Sequence, residues 1–277
     1  MSAFSTQYKK AIKIGYGESD SAETVMIRNR RATVYPRLGI LLGDSITQQS
    51  FGVGGFGSRL AGELTRKVDI INRGYSGYNT KHIVSVLDKI FPSEIEPERV
   101  AFMTIFLGAN DACLPKTADG VQLQHVPVEE YGENLEKISR FAFEKLGVDY
   151  KKQIIISPPP VDDVAWLNSM RLKYEENVKE SNRFNSAVVK YAEKSREVSE
   201  KLGTRHLPLY DIMINFEKDK ECGYWKKFLN DGLHLSMPED YEDVSGGKFV
   251  FEVLFENHVK QLTENDEEFL PSWRDLK

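Results

Sequence analysis

Three residues of the chain have the side chains needed for nucleophilic acyl transfer: Ser45, Asp231 and His234. A serine hydroxyl attacks a carbonyl carbon only when a neighbouring base accepts its proton, and His234 is the candidate base. Asp231 precedes this histidine by three residues, a spacing that places both side chains on the same side of a turn. Its carboxylate could therefore orient the imidazole, and the pattern predicts a Ser-His-Asp catalytic triad.

The tetrahedral intermediate of such a reaction carries a negative oxygen, which needs hydrogen-bond donors aimed at it. The backbone N–H groups of Ser45 and Gly77 and the side-chain amide of Asn110 are the candidate donors. Gly, Asp, Asn and Ser are common in any turn that follows a strand. The prediction of an oxyanion hole therefore depends on the combination of these polar clusters and not on one of them.

Alternating strand and helix patterns predict how these residues are brought together. Apolar runs of strand length begin at Leu38, Val68, Val100, Gln153 and His206, and longer segments with helical spacing separate them. This alternation predicts an α/β fold: a three-layer α/β/α sandwich with a mainly parallel five-stranded sheet in a flavodoxin-like arrangement. Ligands bind beyond the C-terminal ends of the strands in such sheets, which is where the polar clusters lie.

The same patterns predict the bounds of the longer elements and the domain organisation. Helices are expected over residues 58–67, 80–91, 128–146 and 168–202, and the fifth strand over residues 206–210. Since no Ser/Gly-rich linker interrupts the pattern, residues 38–277 are predicted to form one domain. Residues 1–37 contain seven Lys/Arg and three Asp/Glu and are predicted to be an N-terminal extension, flexible or held against the surface.

Four blocks of sequence, taken in order, resemble the SGNH (GDSL-like) hydrolase superfamily. They are Gly43–Thr47, the glycine turn Asn72–Asn79, Gly108–Asp111 and Asp231–His234. Longer segments around these blocks, together with Trp273, Arg274 and Asp275, are similar to the isoamyl acetate-hydrolysing esterase family. The resemblance covers about residues 38–277.

This resemblance implies a carboxylic ester hydrolase whose substrate is a small-molecule ester with a short acyl group such as acetate. It assigns Ser45 as the nucleophile, Asp231 and His234 as the rest of the triad, and Gly77 and Asn110 as further oxyanion donors. It implies neither a metal nor an organic cofactor. An acyltransferase, a thioesterase or a lipase with the same triad stays open, and so does a catalytically dead module that binds an ester or a carbohydrate.

The walls of the acyl pocket are expected near two of these blocks. Phe51 and Phe56 lie in the glycine-rich stretch after Ser45, and Pro159 follows the fourth predicted strand. Residues 52–57 of that stretch also match G-x-G-x-x-G, the pattern of a dinucleotide-binding loop. Such a loop follows its strand directly, whereas nine positions separate Gly43 from the first of these glycines. A nucleotide site is therefore not predicted.

Five further residues are predicted to have a structural role and not a catalytic one. Asp44 and Asp111 are expected to order their loops by accepting backbone hydrogen bonds. Cys113 is expected to be a small buried residue because no base is positioned beside it. Trp166 and Trp225 are expected to pack in the core or between helices.

Composition argues against several other classes of protein. The net charge of −5 argues against a nucleic-acid partner, and no apolar run approaches the ~20 residues of a membrane span. The five histidines show no metal-ligand spacing. Two cysteines, Cys113 and Cys222, are too few for a disulfide framework, and no apolar signal segment follows the N-terminal lysines. A cytoplasmic protein is predicted, and a homodimer stays open.

Overall fold

A computed structural model of the protein describes residues 36–91, 95–118, 120–173, 178–216, 223–237 and 244–268. The predicted extension over residues 1–37 lies outside this part of the chain except for its last two residues, and so do Cys222 and residues 273–275. The division into an extension and one domain therefore stays a prediction.

A five-stranded parallel sheet forms the centre of the structure, with the strand order β2-β1-β3-β6-β7. The strands among the described residues are β1 (Arg37–Gly43), β2 (Val68–Gly74), β3 (Val100–Phe106), β4 (Lys116–Thr117), β5 (Gly120–Val121), β6 (Gln153–Ile156) and β7 (Arg205–Leu207). The two short strands β4 and β5 form a separate antiparallel hairpin. The predicted parallel five-stranded sheet is confirmed.

Helices cover both faces of this sheet. The described α-helices are α1 (Ser45–Gln49), α2 (Phe56–Glu63), α3 (Thr80–Ile90), α4 (Val128–Leu146), α5 (Asp163–Lys173), α6 (Asn185–Leu202), α7 (Leu209–Ile214), α8 (Gly246–Leu254) and α9 (Lys260–Thr263). Crossovers between parallel strands are right-handed, so the reversal of direction after β2 places α2 and α3 on opposite faces. Helices α3, α4 and α6 pack side by side, and α8 packs on α2. None of the described helices combines the length and hydropathy needed to cross a lipid bilayer.

The two central strands supply the middle of the core. Every residue of β3 is buried, and Ile40, Leu41 and Leu42 of β1 have no exposed surface. Strands covered by helices on both faces are apolar at nearly every position, which explains why these two segments show near-continuous apolar runs instead of alternation.

The register of the central strands decides where their polar C-terminal loops meet. Gly43, the last residue of β1, pairs with Gly74 on one side and Phe106 on the other, and these are the last residues of β2 and β3. The three loops that follow therefore leave the sheet side by side. The strand order also reverses between β1 and β3, which is the position where parallel sheets form a ligand crevice.

Three of the predicted elements differ from the structure. Helix α2 spans Phe56–Glu63 and not residues 58–67. The single helix predicted over 168–202 is wrong, because α5 and α6 are separate and Phe184, just before α6, has an extended backbone with φ −134° and ψ 138°. The fifth strand ends at Leu207 and not at residue 210. Pro208 has no N–H to donate to a neighbouring strand, and α7 begins directly after it.

Candidate active site

The nucleophile candidate Ser45 is the first residue of α1, and one residue separates it from the end of β1. Asp44 caps this helix, since its Oδ1 accepts a hydrogen bond of 2.9 Å from the backbone N–H of Ile46. The Oγ atom of Ser45 lies 2.8 Å from Nε2 of His234. The N–H of a first helical residue has no acceptor within its helix, so the N–H of Ser45 can serve a ligand.

A second short hydrogen bond connects His234 to Asp231. Nδ1 of His234 lies 2.7 Å from Oδ2 of Asp231, and Oδ1 of the same carboxylate accepts from the backbone N–H groups of Leu233 and His234 at 3.0 and 2.8 Å. Burial by itself would raise the pKa of Asp231, but the hydrogen bonds and the charge of His234 outweigh it and lower the pKa to about 2. An ionised carboxylate can only accept, so the proton of the neutral imidazole lies on Nδ1 and Nε2 is free to accept from Ser45.

Gly232 holds the turn that carries this pair against the start of α5. Its φ is +90°, and its carbonyl accepts a hydrogen bond of 2.9 Å from the N–H of Asp162. A Cβ at this position would come within 2.5 Å of the carbonyl oxygen of Asp162 and closer still to the backbone of Trp166. The sequence Asp-Gly-Leu-His therefore needs glycine at its second position for both conformation and space.

The two other oxyanion candidates lie on the loops after β2 and β3. Gly77 has φ +81° at the third position of a turn closed by a 3.1 Å hydrogen bond from the N–H of Tyr78 to the carbonyl of Tyr75. That bond does not use the N–H of Gly77, which belongs to the central peptide of the turn. Nδ2 of Asn110 donates one hydrogen to the carbonyl of Tyr78 at 2.8 Å and has a second hydrogen to donate.

A cavity of about 460 Å³ brings all five predicted catalytic and oxyanion residues together. The residues that line it are Ser45, Ser76, Gly77, Asn110, Thr117, Gln122, Gln124, Trp166, Ser169, Met170, Lys173, Val178, Glu180, Asn182, Arg183, Asp231, Leu233 and His234. Across the residues that the structure describes, no group of three or more His, Cys, Asp or Glu side chains is arranged to hold a metal ion.

The structure does not place the three predicted pocket walls at this cavity. Phe56 is 1% exposed and packs in the core with its ring centroid 6.2 Å from that of Phe106. Phe51 is 43% exposed, and Pro159 is buried outside the lining. For Phe56 the physical reason is that α2 begins at this residue and its apolar face packs on the sheet.

Trp166 corrects a second expectation, because it lines the cavity instead of only packing between helices. Its ring centroid lies 6.1 Å from that of His234 in an edge-to-face arrangement. Trp225, in contrast, is buried within the hydrophobic core as predicted. Cys113 is also buried as predicted, and burial raises the pKa of its thiol to about 11, so it stays protonated at neutral pH.

Two site residues, Gln124 and Arg183, were absent from the sequence-based prediction. Arg183 is 3% exposed and donates hydrogen bonds to Oδ1 of Asn110 and to Oε1 of Gln124. Arg183 lies in the segment that was expected to be the middle of a long helix, and no local pattern marks it or Gln124 as part of the site.

Asp44 and Asp111 accept backbone hydrogen bonds as predicted, Asp44 within its own loop and Asp111 from the first residue of α3, and both residues are buried. Oδ1 of Asp111 accepts from the backbone N–H and the hydroxyl of Thr80, at 3.0 and 2.5 Å. Burial raises the pKa of Asp111 to about 7 and outweighs these hydrogen bonds, which lower it. Burial likewise raises the pKa of Asp44 to about 6.

Replacing Asp111 by asparagine should change the pH dependence of stability. The folded protein binds the proton of this carboxyl more tightly than the unfolded chain does, since the pKa is about 7 against an ordinary value of 3.8. The stabilisation is complete below about pH 4 and is lost as the pH rises to about 7, by roughly 1.4 kcal/mol per pH unit. The free energy of unfolding of wild type minus that of Asp111→Asn should therefore fall over this range.

Urea unfolding of both proteins at acidic and mildly alkaline pH measures this difference. Asp69→Asn is the matched control, because the side chain of Asp69 is exposed on β2 and stays in water in both states. A difference between wild type and Asp111→Asn that is the same at both pH values would show that the folded protein does not hold the proton.

Comparison with known proteins identifies the family of this chain. The sequence profile of the GDSL-like Lipase/Acylhydrolase family matches residues 40–239, a span that contains all five residues from Ser45 to His234. This chain belongs to the GDSL-like lipase/acylhydrolase family. It is accordingly a carboxylic ester hydrolase, as predicted.

Individual relatives agree with membership of the GDSL-like family. The chain is 37% identical over 249 residues to an isoamyl acetate-hydrolyzing esterase 1 homolog of Mus musculus, covering 89% of this chain and 90% of the relative. It is 42% identical over 200 residues to a GDSL esterase/lipase of Arabidopsis thaliana, covering 71% and 78%. The crystal structure of a lipase/acylhydrolase from Enterococcus faecalis superposes with a TM-score of 0.53 at 23% identity, covering 84% of this chain and 98% of that one. The last comparison supports the fold alone.

Proposed function

We propose that the protein hydrolyses small carboxylic esters with short acyl groups, such as acetate, by a Ser45-His234-Asp231 triad. One observation carries the proposal: a continuous hydrogen-bonded path of 2.7 and 2.8 Å from the Asp231 carboxylate through the imidazole to the Ser45 hydroxyl. The path ends in a cavity that also contains the candidate oxyanion donors, so the nucleophile, the base and the charge-stabilising groups face the same space.

In the acylation half of the proposed reaction, Oγ of Ser45 attacks the ester carbonyl carbon while its proton passes to Nε2 of His234. The carbonyl π pair moves to oxygen, and the N–H groups of Ser45, Gly77 and Asn110 donate to the negative charge that results. Asp231 stabilises the imidazolium. The intermediate then collapses, the bond to the leaving alkoxy group breaks, and the imidazolium gives its proton to that oxygen.

In the deacylation half, water replaces the alcohol and the same groups act again. His234 takes a proton from water as the water oxygen attacks the acyl carbon of the Ser45 ester. Collapse of the second tetrahedral intermediate breaks the bond to Oγ, which recovers its proton from the imidazolium. The products are a carboxylic acid and an alcohol, and the enzyme returns to its starting protonation state.

The cavity supports a small substrate. Its apolar lining among the described residues consists of Trp166, Met170, Val178 and Leu233, and amide, hydroxyl and charged groups make up most of the rest. A long acyl chain gains its binding energy by burying apolar area, and in this lining the polar side chains outnumber the apolar ones. The name of the mouse relative, an isoamyl acetate-hydrolyzing esterase homolog, agrees with a short acyl group.

We also propose that the protein acts in the cytoplasm, because its two cysteines are too few for the disulfide framework of a small secreted domain.

A fluorophosphonate probe should label the wild-type protein covalently and leave Ser45→Ala unlabelled, because only a serine with a positioned base attacks such a phosphorus centre. Ser85→Ala is the matched control, since its hydroxyl is exposed on α3 and donates to the carbonyl of His82. Mass spectrometry of the labelled peptide identifies the modified residue. Labelling that persists in Ser45→Ala would contradict the proposed nucleophile.

The acyl-group preference and the alternative of acyl transfer are tested with p-nitrophenyl esters. Turnover should decrease from acetate to butyrate to octanoate, and a preference for octanoate would contradict the short-acyl assignment.

Added alcohol competes with water for the acyl-enzyme. If the new ester exceeds free acid among the products at low alcohol concentration, the protein is an acyltransferase and not a hydrolase.

A further inference from the structure

Arg183 is a buried cation next to the proposed oxyanion donors. It lies between α5 and α6, and four of its N–H groups donate to neutral oxygens: the carbonyl of Ala109 at 3.2 Å, and the side chains of Asn182 at 3.1 Å, Asn110 at 2.8 Å and Gln124 at 2.9 Å. None of the ion pairs found among the described residues includes Arg183. The hydrogen bonds of the guanidinium therefore go to oriented neutral dipoles, and the carboxylates of Asp44 and Asp231 act on its charge without direct contact.

The contact with Asn110 determines which end of that amide faces the cavity. Nη2 of Arg183 donates to Oδ1, and a guanidinium has no acceptor that could bind the NH₂ end. The opposite end, Nδ2, donates one hydrogen to the carbonyl of Tyr78. With both anchors in place the amide cannot rotate by 180°, and its second N–H stays available to a ligand.

The contact with Gln124 extends the same control to Gly77. Oε1 of Gln124 accepts from Nη2 of Arg183, and Nε2 of Gln124 donates to the carbonyl oxygen of Gly77 at 2.9 Å. Gln124 therefore links the guanidinium to the turn whose central N–H is the second oxyanion candidate. One nitrogen atom of Arg183 holds both donors, the first directly and the second through one side chain.

A third contact connects Arg183 to the base. The guanidinium carbon lies 5.0 Å from the centroid of the Trp166 ring, and that ring lies edge-on to His234. Nε1 of Trp166 donates to Oδ1 of Asn182, the same oxygen that accepts from Arg183. The indole is thus held by two groups of the segment that carries the arginine.

We propose that Arg183 is a positioning residue for the oxyanion hole, which holds the Asn110 amide directly and the Gly77 turn through Gln124. The inference rests on the proposed function, because it takes these two groups as donors to the developing negative charge. Donation from a cation to the carbonyl end of the Asn110 amide also polarises the amide and strengthens its N–H as a donor. Arg183 touches neither the triad nor the reacting atoms on this proposal.

The first test is Arg183→Lys, which keeps the charge and removes the planar fork that binds Asn110 and Gln124 at once. Loss of one oxyanion donor typically costs about 10²- to 10³-fold in kcat, so a misoriented hole should lower kcat by roughly 10- to 100-fold. KM for p-nitrophenyl acetate should change by less than about 3-fold, because the donors act mainly in the transition state. An unchanged kcat would overturn the proposal.

A double-mutant cycle with Asn110→Ala distinguishes positioning from a general structural loss. If Arg183 acts partly through Asn110, its replacement costs less once that amide is gone, and the double variant should lose several-fold less kcat than the product of the two single losses. Multiplicative losses would show that the arginine does not act on Asn110 and would overturn that part of the proposal.

Gln124→Met keeps the proposal testable if Arg183→Lys does not fold, because it removes only the link to Gly77. We expect kcat to fall by about 10-fold and KM to change little, with losses that multiply with those of Asn110→Ala since the two donors are separate. Full activity of Gln124→Met would overturn the link to Gly77. Circular dichroism and thermal unfolding verify that each variant is folded.

Arg205 and Gln261 provide matched controls. Nη1 of Arg205 donates to Oε1 of Gln261 at 2.8 Å, and its Nε donates to the carbonyl of Lys151. Arg205 is the first residue of the edge strand β7, so it lies at the N-terminal end of the parallel sheet, whereas the candidate site lies beyond the C-terminal ends of β1, β2 and β3. Arg205→Lys and Gln261→Met should therefore retain wild-type kcat. If wild type itself fails to hydrolyse esters, the proposed function fails. If wild type hydrolyses esters and the Arg183 and Gln124 variants keep its kcat as the controls do, this inference alone fails.

Discussion

Ser45→Ala should lower kcat for p-nitrophenyl acetate by about 10³-fold or more, because the proposed mechanism has no nucleophile without this hydroxyl. On the proposed mechanism, the substitution removes the atom that bonds to the acyl group and leaves His234 without the hydroxyl that it would activate. The oxyanion donors and the cavity stay in place. A residual rate above that of water alone is therefore expected.

Steady-state kinetics with active-site titration measure this loss. The free energy of unfolding of the variant should be close to that of wild type. The substitution removes one small atom, Oγ of Ser45, together with its hydrogen bond to His234. Ser85→Ala should keep the wild-type rate. Near-wild-type turnover by a folded Ser45→Ala protein would refute the triad mechanism, because the reaction would then proceed without the Ser45 hydroxyl.

Asp231→Asn should lower kcat by roughly 10⁴-fold while leaving the fold intact. An asparagine amide can donate to Nδ1 of the imidazole, which moves the histidine proton to Nε2, the atom that must accept from Ser45. The variant also loses the negative charge that stabilises the imidazolium. Because these are defects of protonation and not of shape, KM should change far less than kcat.

The pH dependence provides a second measurement for Asp231. Its pKa is lowered to about 2 from an ordinary value of 3.8, so the folded state favours the ionised form. Its contribution to stability is complete above about pH 4 and is lost only as the pH falls toward 2. Between pH 5 and 8 the wild-type profile should therefore contain no step from this carboxylate. Asp149→Asn is the matched control for the loss of a carboxylate, because Asp149 is exposed and only caps a short helix, so its replacement should leave kcat unchanged.

A rate for Asp231→Asn within about 10-fold of wild type would mean that His234 keeps its proton on Nδ1 without the carboxylate. That result would contradict the role assigned to Asp231 and would leave Ser45 and His234 as a dyad. Chemical rescue is a useful addition, since a small carboxylate such as formate could occupy the position of the missing charge and partly restore turnover.

Local sequence was sufficient for elements whose determinants lie within a few residues. Helix α4 has the predicted bounds, Val128–Leu146, because Pro127 precedes it and Gly147 ends it with φ +63°. The continuous apolar runs of β1 and β3 predicted buried parallel strands for the same reason, since each residue must face a helix layer on one side or the other.

The residues Ser45, Asp231, His234, Gly77 and Asn110 could also be selected from the sequence, because acyl transfer restricts the usable side chains and strand ends restrict where they can lie. What the sequence could not determine depends on contacts between distant segments. Arg183 meets Asn110 across 73 residues, and nothing near either residue records that contact.

The break between α5 and α6 and the burial of Phe56 have the same origin. The segment at Arg183 leaves the helical conformation because the guanidinium of Arg183 donates hydrogen bonds to the loops after β3 and after the β4–β5 hairpin. Phe56 turns inward because α2 must cover the sheet. Sequence alone determined the chemistry and the order of the strands along the chain. Only the tertiary structure decided which side chains support that chemistry, since long-range packing and buried hydrogen bonds have no local pattern.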